Sequence, residues 1–273
     1  MKNRLFLSAL FLILGLRAAA QCNAITSAPI TISTPGTWCL TKDVLQTSGS
    51  GSAIVITSSA VTLDLHGYRL ISTGPSAIFV VGGLSNVIIR NGQVTSAGSG
   101  IVIVADEKIS TTDVLLERLA LDSILNHGIH AVANHMVIRD VTVSGASHTS
   151  TPGEGIWVAG DYIDVDHVVV NDAFPIGFDA SLGATRLTLR NSVINGSDRA
   201  LVLVGGANVT NNQLNGDEMA VDLYGGTFHF VGNRISAKKI AINYNLGAFG
   251  KYRETLFVDG TTVAGGTDAG NNN

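Results

Sequence analysis

Residues 128–143 read Gly-Ile-His-Ala-Val-Ala-Asn-His-Met-Val-Ile-Arg-Asp-Val-Thr-Val, and this stretch decides the fold. A small residue, Gly128, opens a short apolar run at Ile129. Met136-Val-Ile138-Arg139 follows with period two, the mark of a half-buried strand. Val143 then stands at an inward position of a third short strand. Polar and small residues separate the runs, and these suit tight turns.

The same unit recurs in both directions. The small-apolar start appears at Ala53-Ile54, Ala77-Ile78, Gly100-Ile101, Gly128-Ile129, Gly155-Ile156, Gly177-Phe178, Ala200-Leu201, Ala220-Val221 and Ala241-Ile242, with spacings of 24, 23, 28, 27, 22, 23, 20 and 21. The second strand recurs as Val61-Thr-Leu63-Asp, Val87-Ile-Ile89-Arg, Val114-Leu-Leu116-Glu, Ile163-Asp-Val165-Asp and Leu187-Thr-Leu189-Arg. Asn208-Val209-Thr210 and Phe228-His-Phe230-Val repeat it more weakly. Val94, Leu121, Val143, Val170, Ile194, Leu214 and Ile235 mark the third. One such unit cannot bury its apolar face alone, so successive units must stack and share an interior. The predicted fold is an all-β, single-stranded right-handed parallel β-helix of about nine coils of three short strands, roughly 43 Å long at ~4.8 Å per rung. A leucine-rich repeat has a similar period, but it needs Leu-x-x-Leu-x-Leu-x-x-Asn and a helical return, and no unit here has either.

The repeat pattern resembles that of the pectin-lyase-like β-helix proteins over residues 30–260. The lead-in Ile30-Thr-Ile32-Ser-Thr-Pro-Gly-Thr-Trp38-Cys39-Leu40 resembles that of uncharacterised secreted bacterial members. The resemblance implies this fold and a life outside the cytoplasm. It leaves function open, because the fold hosts lyases, hydrolases, epimerases and adhesins alike.

Four segments are expected: a signal peptide at 1–20, an N-terminal capping segment at 21–52, the β-helix at 53–260 and a flexible tail at 261–273. Lys2 and Arg4 precede the apolar run Leu5–Leu16, and Ala18, Ala19 and Ala20 supply small residues for cleavage after Ala20. The run is too short to span a bilayer and nothing later replaces it, so no membrane span is expected and the mature chain is placed as secreted or periplasmic. The chain's two cysteines, Cys22 and Cys39, are expected to pair in an oxidising compartment. With a net charge of −4 over 273 residues and no basic cluster, nucleic acid is excluded as a partner.

Two lines of polar residues run along the predicted rod. Asp64, Arg90, Glu117, Arg139, Asp166 and Arg190 share one outward position and alternate in sign. Each charge is expected to pair with the coils above and below on a solvated face, which sets the register. Beside them, Asn91, Asp140, His167, Asn191 and Asn211 occupy a turn position where stacked amides are expected. Asp164, Asp166 and His167 offer too few ligands for Ca²⁺, which takes six to eight oxygens, so no metal or cofactor is assigned.

Chemistry is expected on the outward face of the first strand of each coil. That row reads Phe79, Val102, His130, Trp157, Asp179, Val202, Asp222 and Asn243. Catalytic candidates are Asp179, Asp222, Glu154 and Arg199; substrate-binding candidates are Trp157, His130, His127 and Asp198. An exposed Trp beside carboxylates suits a sugar ring and its hydroxyls. Asp179 and Asp222, two rungs or roughly 9.6 Å apart, fit an inverting acid/base pair. A lyase would instead use His130 or Arg199 as base. Residues 147–153 are expected to wall a groove over Trp157. The sequence thus favours a protein that binds polysaccharide, with or without cleaving it; the alternative is a non-catalytic structural or adhesive rod. Val102 and Val202, and the absence of the ordered polygalacturonase motifs, favour the rod.

Overall fold

The computed structural model of the protein describes residues 22–105, 110–145, 153–171, 174–258 and 262–272. The predicted leader at 1–20 and residues 147–152 of the expected groove wall lie outside them. The described residues form 25 strands and no helix, and the strand pairings among them are parallel. The architecture is the right-handed parallel β-helix expected.

The first sheet follows the predicted coil starts rung by rung. Ile30, Ile54, Ile78, Ile101, Ile129, Ile156, Phe178, Leu201, Val221, Ile242 and Val263 pair in one continuous register. The third sheet aligns Leu70, Val94, Leu121, Val143, Val170, Ile194, Leu214 and Ile235 in the same way. Apart from Ile30 and Val263 at the two ends, which are half-buried against it, these residues form one buried core that runs the length of the stack. A fully buried Val, Leu or Ile contributes about 1.5–3 kcal/mol by leaving water. A one-residue slip would turn every one of them outward.

The stack extends past both limits read from sequence. Ile30–Ile32, within the expected cap, pairs in register with Ile54–Ile56. At the other end, Thr262–Ala264 and Thr267–Asp268 pair with Ile240–Arg253, so the segment expected as a flexible tail carries strands. Backbone pairing with the coil below holds these polar residues, where apolar content alone predicted disorder. Cys22 and Cys39 form the expected disulfide, with Cα atoms 5.8 Å apart.

Each coil turns sharply between its second and third strands. Asn91, Arg118, Asp140, His167, Asn191 and Asn211 take φ of +51° to +60° at equivalent places. This conformation costs a residue bearing a Cβ roughly 1–2 kcal/mol, and Asn and Asp tolerate it best. The amides that stack are not these. Asn212 Oδ1 accepts from the Ser192 amide at 2.9 Å, and Asn233 Oδ1 accepts from the Asn212 amide at 2.9 Å. Those side chains are buried, where an unpaired backbone N–H would be costly. Asn91 and Asn191 instead donate outward to Asp64 and Asp166.

The charge ladder has the predicted register, since Asp64, Arg90, Glu117, Arg139, Asp166 and Arg190 pair coil to coil. Its bonding differs from the expectation. The arginines reach back one coil, Arg90 to Asp64 at 2.9 Å, Arg139 to Glu117 at 2.5 Å and Arg190 to Asp166 at 3.2 Å. Asp64 and Glu117 are buried under these guanidinium groups, so the face is not uniformly solvated. Arg190 also takes Asp164 at 2.7 Å, so both carboxylates once considered for Ca²⁺ are engaged by an arginine.

Candidate functional site

On the first sheet, Val102, His130, Trp157, Asp179, Val202, Asp222 and Asn243 form one outward row, each in register with the next. They alternate with the core residues Ile129, Ile156, Phe178 and Leu201, which fixes the direction of each side chain. Along one edge a second row pairs Glu154, Ile176, Arg199 and Met219. Rows and rungs together bring the sequence candidates into two clusters.

The first cluster contains His127, His130, Glu154, Trp157 and Asp179. The His130 and Trp157 rings lie 4.2 Å apart and 21° from parallel, a stacked pair. His127 meets His130 edge-on, with centroids 5.1 Å apart at 72°. Burial lowers the proton affinity of His130, and neighbouring His127 lowers it further against the opposing pull of Glu154. The stack is therefore built from a neutral imidazole at neutral pH. His127 Nδ1 lies 2.6 Å from Glu154 Oε2, and also 3.4 Å from the Glu154 amide.

Asp179 sits one rung beyond Trp157. It is 6% exposed, and Oδ1 accepts a hydrogen bond of 2.6 Å from the Ser181 amide. Burial raises its pKa above the ordinary carboxyl value; the Ser181 bonds oppose this, Glu154 reinforces it and Arg199 opposes it. A carboxyl so placed is suited to holding a proton for transfer.

The second cluster surrounds Asp222, which is 3% exposed. Its Oδ2 accepts from Tyr224 Oη at 2.8 Å, and its Oδ1 accepts from Asn245 Nδ2 at 2.6 Å and Asn243 Nδ2 at 3.2 Å. Arg199 Nη1 lies 3.5 Å from Oδ2, and Arg199 Nε lies 3.3 Å from Asp198. The hydrogen bond to Asp222 holds the Tyr224 hydroxyl above its ordinary pKa, with burial adding to the effect. Asp222 is therefore occupied on both oxygens. Buried Val202 stands between it and Asp179 in the row and separates the clusters.

Tyr224, Asn245 and Ser181 were not singled out from the sequence. Tyr224 and Asn245 each stand two residues beyond a member of the outward row, at the next outward position of the strand, and following the alternation one step further would have found them. Ser181 lies in the turn that follows strand Ile176–Ala180, where alternation gives no guide.

The class of protein defined by this coil stack is the parallel β-helix with the pectin-lyase-like fold. No protein-family model matches the sequence, and no curated protein does. Among solved structures, the chain is similar to the ORF18 protein of Geobacillus virus E2, with a TM-score of 0.64, 11% identity, and 92% of this chain and 53% of that one covered. The chain thus spans about half the length of the viral protein. It is also similar to the alginate lyase of Paenibacillus sp. str. FPU-7, with a TM-score of 0.56, 17% identity and 90% of each chain covered. The pectate lyase Pel9A gives a TM-score of 0.54 at 11% identity, over 92% of this chain and 69% of that one. At such identities the likeness is one of fold.

Proposed function

We propose that the protein binds a polysaccharide across the outward face of its first sheet. The observation that carries this reading is the stacked His130–Trp157 pair directly beside the buried carboxyl of Asp179. Stacked rings offer an apolar platform to a sugar face, and the flanking polar groups suit its hydroxyls. The alginate lyase and the pectate lyase of similar fold are named for polysaccharide substrates, which supports the class of ligand without selecting a member. The apolar leader and the Cys22–Cys39 bridge support export to an oxidising compartment, where such polymers are met.

A second reading adds cleavage to binding and is favoured by the environment of Asp179. As an acid, Asp179 would give its proton to the glycosidic oxygen of the leaving sugar. His127, oriented by Glu154, would take a proton from the water that attacks the anomeric carbon. Asp222 is no part of this pair, because its four contacts leave it no free lone pair aimed at a substrate. Arg199 is likewise tied to two carboxylates and is a poor base.

Retardation of the protein in native gels cast with polysaccharide tests binding, and release of reducing ends tests cleavage. Binding lost in Trp157→Ala supports the first reading. Cleavage lost in Asp179→Asn with binding retained supports the second. A folded protein that ignores every polymer leaves a structural or adhesive rod.

A further inference from the structure

The charge around the platform bears on which polysaccharide it takes. Glu154, Asp198 and Asp222 place three carboxyl groups on or beside the two clusters, and Arg199 is the only arginine among them. Arg199 lies between Asp198 and Asp222, so its charge is already compensated. At the adjoining edge, Lys238 pairs with Asp217 at 3.2 Å and Lys239 pairs with Glu218. Among the described residues of this face, no cation is left over to receive a substrate carboxylate. His130, held neutral by burial, does not supply one.

Resting on the polysaccharide-binding reading above, we infer that this face selects uncharged glycans and rejects polyuronates, through the excess of carboxyl groups over cations beside the His130–Trp157 platform. A polyuronate carries one carboxylate per sugar residue and would bring several against this surface at once. Like charges in juxtaposition disfavour a partner far more than they alter the affinity of a neutral one. At about 0.15 M salt the screening length is roughly 8 Å, so the repulsion reaches across neighbouring rungs. An uncharged chain meets only the rings and the hydrogen-bonding carboxylate oxygens, and its binding is insensitive to salt.

The test compares gel retardation of the purified protein by laminarin, dextran and glucomannan with that by alginate and polygalacturonate, at 20 and 300 mM NaCl. Retention by at least one neutral polymer, unchanged by salt and at least about tenfold stronger than by either polyuronate at low salt, is expected. Asp217→Lys, an exposed change at the adjoining edge and outside both clusters, is expected to raise polyuronate retention while leaving neutral-glycan retention intact. Polyuronate binding that is strongest at 20 mM NaCl and lost in Arg199→Gln overturns the inference and leaves the polysaccharide-binding reading standing. Retention by none of the polymers, with the protein folded by circular dichroism, removes that reading and this inference with it.

Discussion

The imidazole of His130 lies parallel to the indole of Trp157 to within 21°, at 4.2 Å between centroids, on adjacent coils. Stacking along a β-helix follows from register, since His130 pairs with Trp157 residue for residue. Neither ring belongs to the core, so the pair is available to a ligand without cost to the interior packing. Trp157→Ala is expected to abolish glycan retardation and to lower stability by about 1 kcal/mol, the scale of one aromatic pair. Native-gel retardation and urea denaturation of the same preparation check both parts.

The buried Asp179 gives a pH dependence of known sign. Its pKa is raised on folding, mainly by burial, so the folded state binds the proton more tightly than the unfolded chain does. The stability this group contributes is full below the ordinary value of 3.8 and is lost as pH rises through the raised folded value. Asp179→Asn, which cannot ionise, is expected to be relatively more stable than the parent at pH 7 than at pH 3.5. Thermal melts across that range check it; a constant difference in Tm would count against a buried, proton-holding carboxyl.

Gly155 starts the coil that carries Trp157. A Cβ there would lie 2.4 Å from Val170 Cγ1 and 2.6 Å from the Gly177 carbonyl oxygen. The second contact is backbone and cannot move aside. Gly155→Val is expected to cost about 3 kcal/mol or more, at the upper end of overpacking penalties. By contrast, Gly49 has nothing within 4 Å of such a Cβ, although its φ of +64° disfavours side chains there. Chemical denaturation of Gly155→Val against the parent measures the difference.

Arg139 covers the buried carboxylate of Glu117, donating from Nε at 3.0 Å and from Nη2 at 2.5 Å. Arg139→Glu would set three acids in consecutive coils and remove this cover. The expected result is a lower Tm, with a larger fall than in Arg118→Gln, because Arg118 meets Glu117 through one nitrogen at 2.7 Å. Equal melting temperatures for the two variants would show that the ladder does not hold the register.

Much of this architecture was legible in the chain itself. The small-apolar starts from Ala53-Ile54 to Ala241-Ile242 mark the rungs because face and period are local properties, carried by alternation along each strand. The charge ladder was legible for the same reason: a constant place in the repeat becomes a constant place on the rod. The disulfide followed from there being two cysteines.

The bonding within those rows was decided by the tertiary structure. The sequence places Asp179 and Asp222 in equivalent outward positions, yet one carboxyl is buried with a raised pKa and the other is held by Tyr224, Asn243, Asn245 and Arg199. Which way each arginine of the ladder leans, and which asparagines stack inside the turn, likewise depends on the coils above and below. Repetition along the chain determines which residues share a row. Burial and partnership arise between coils, from side chains some 20–28 residues apart in sequence, and no local pattern contains them.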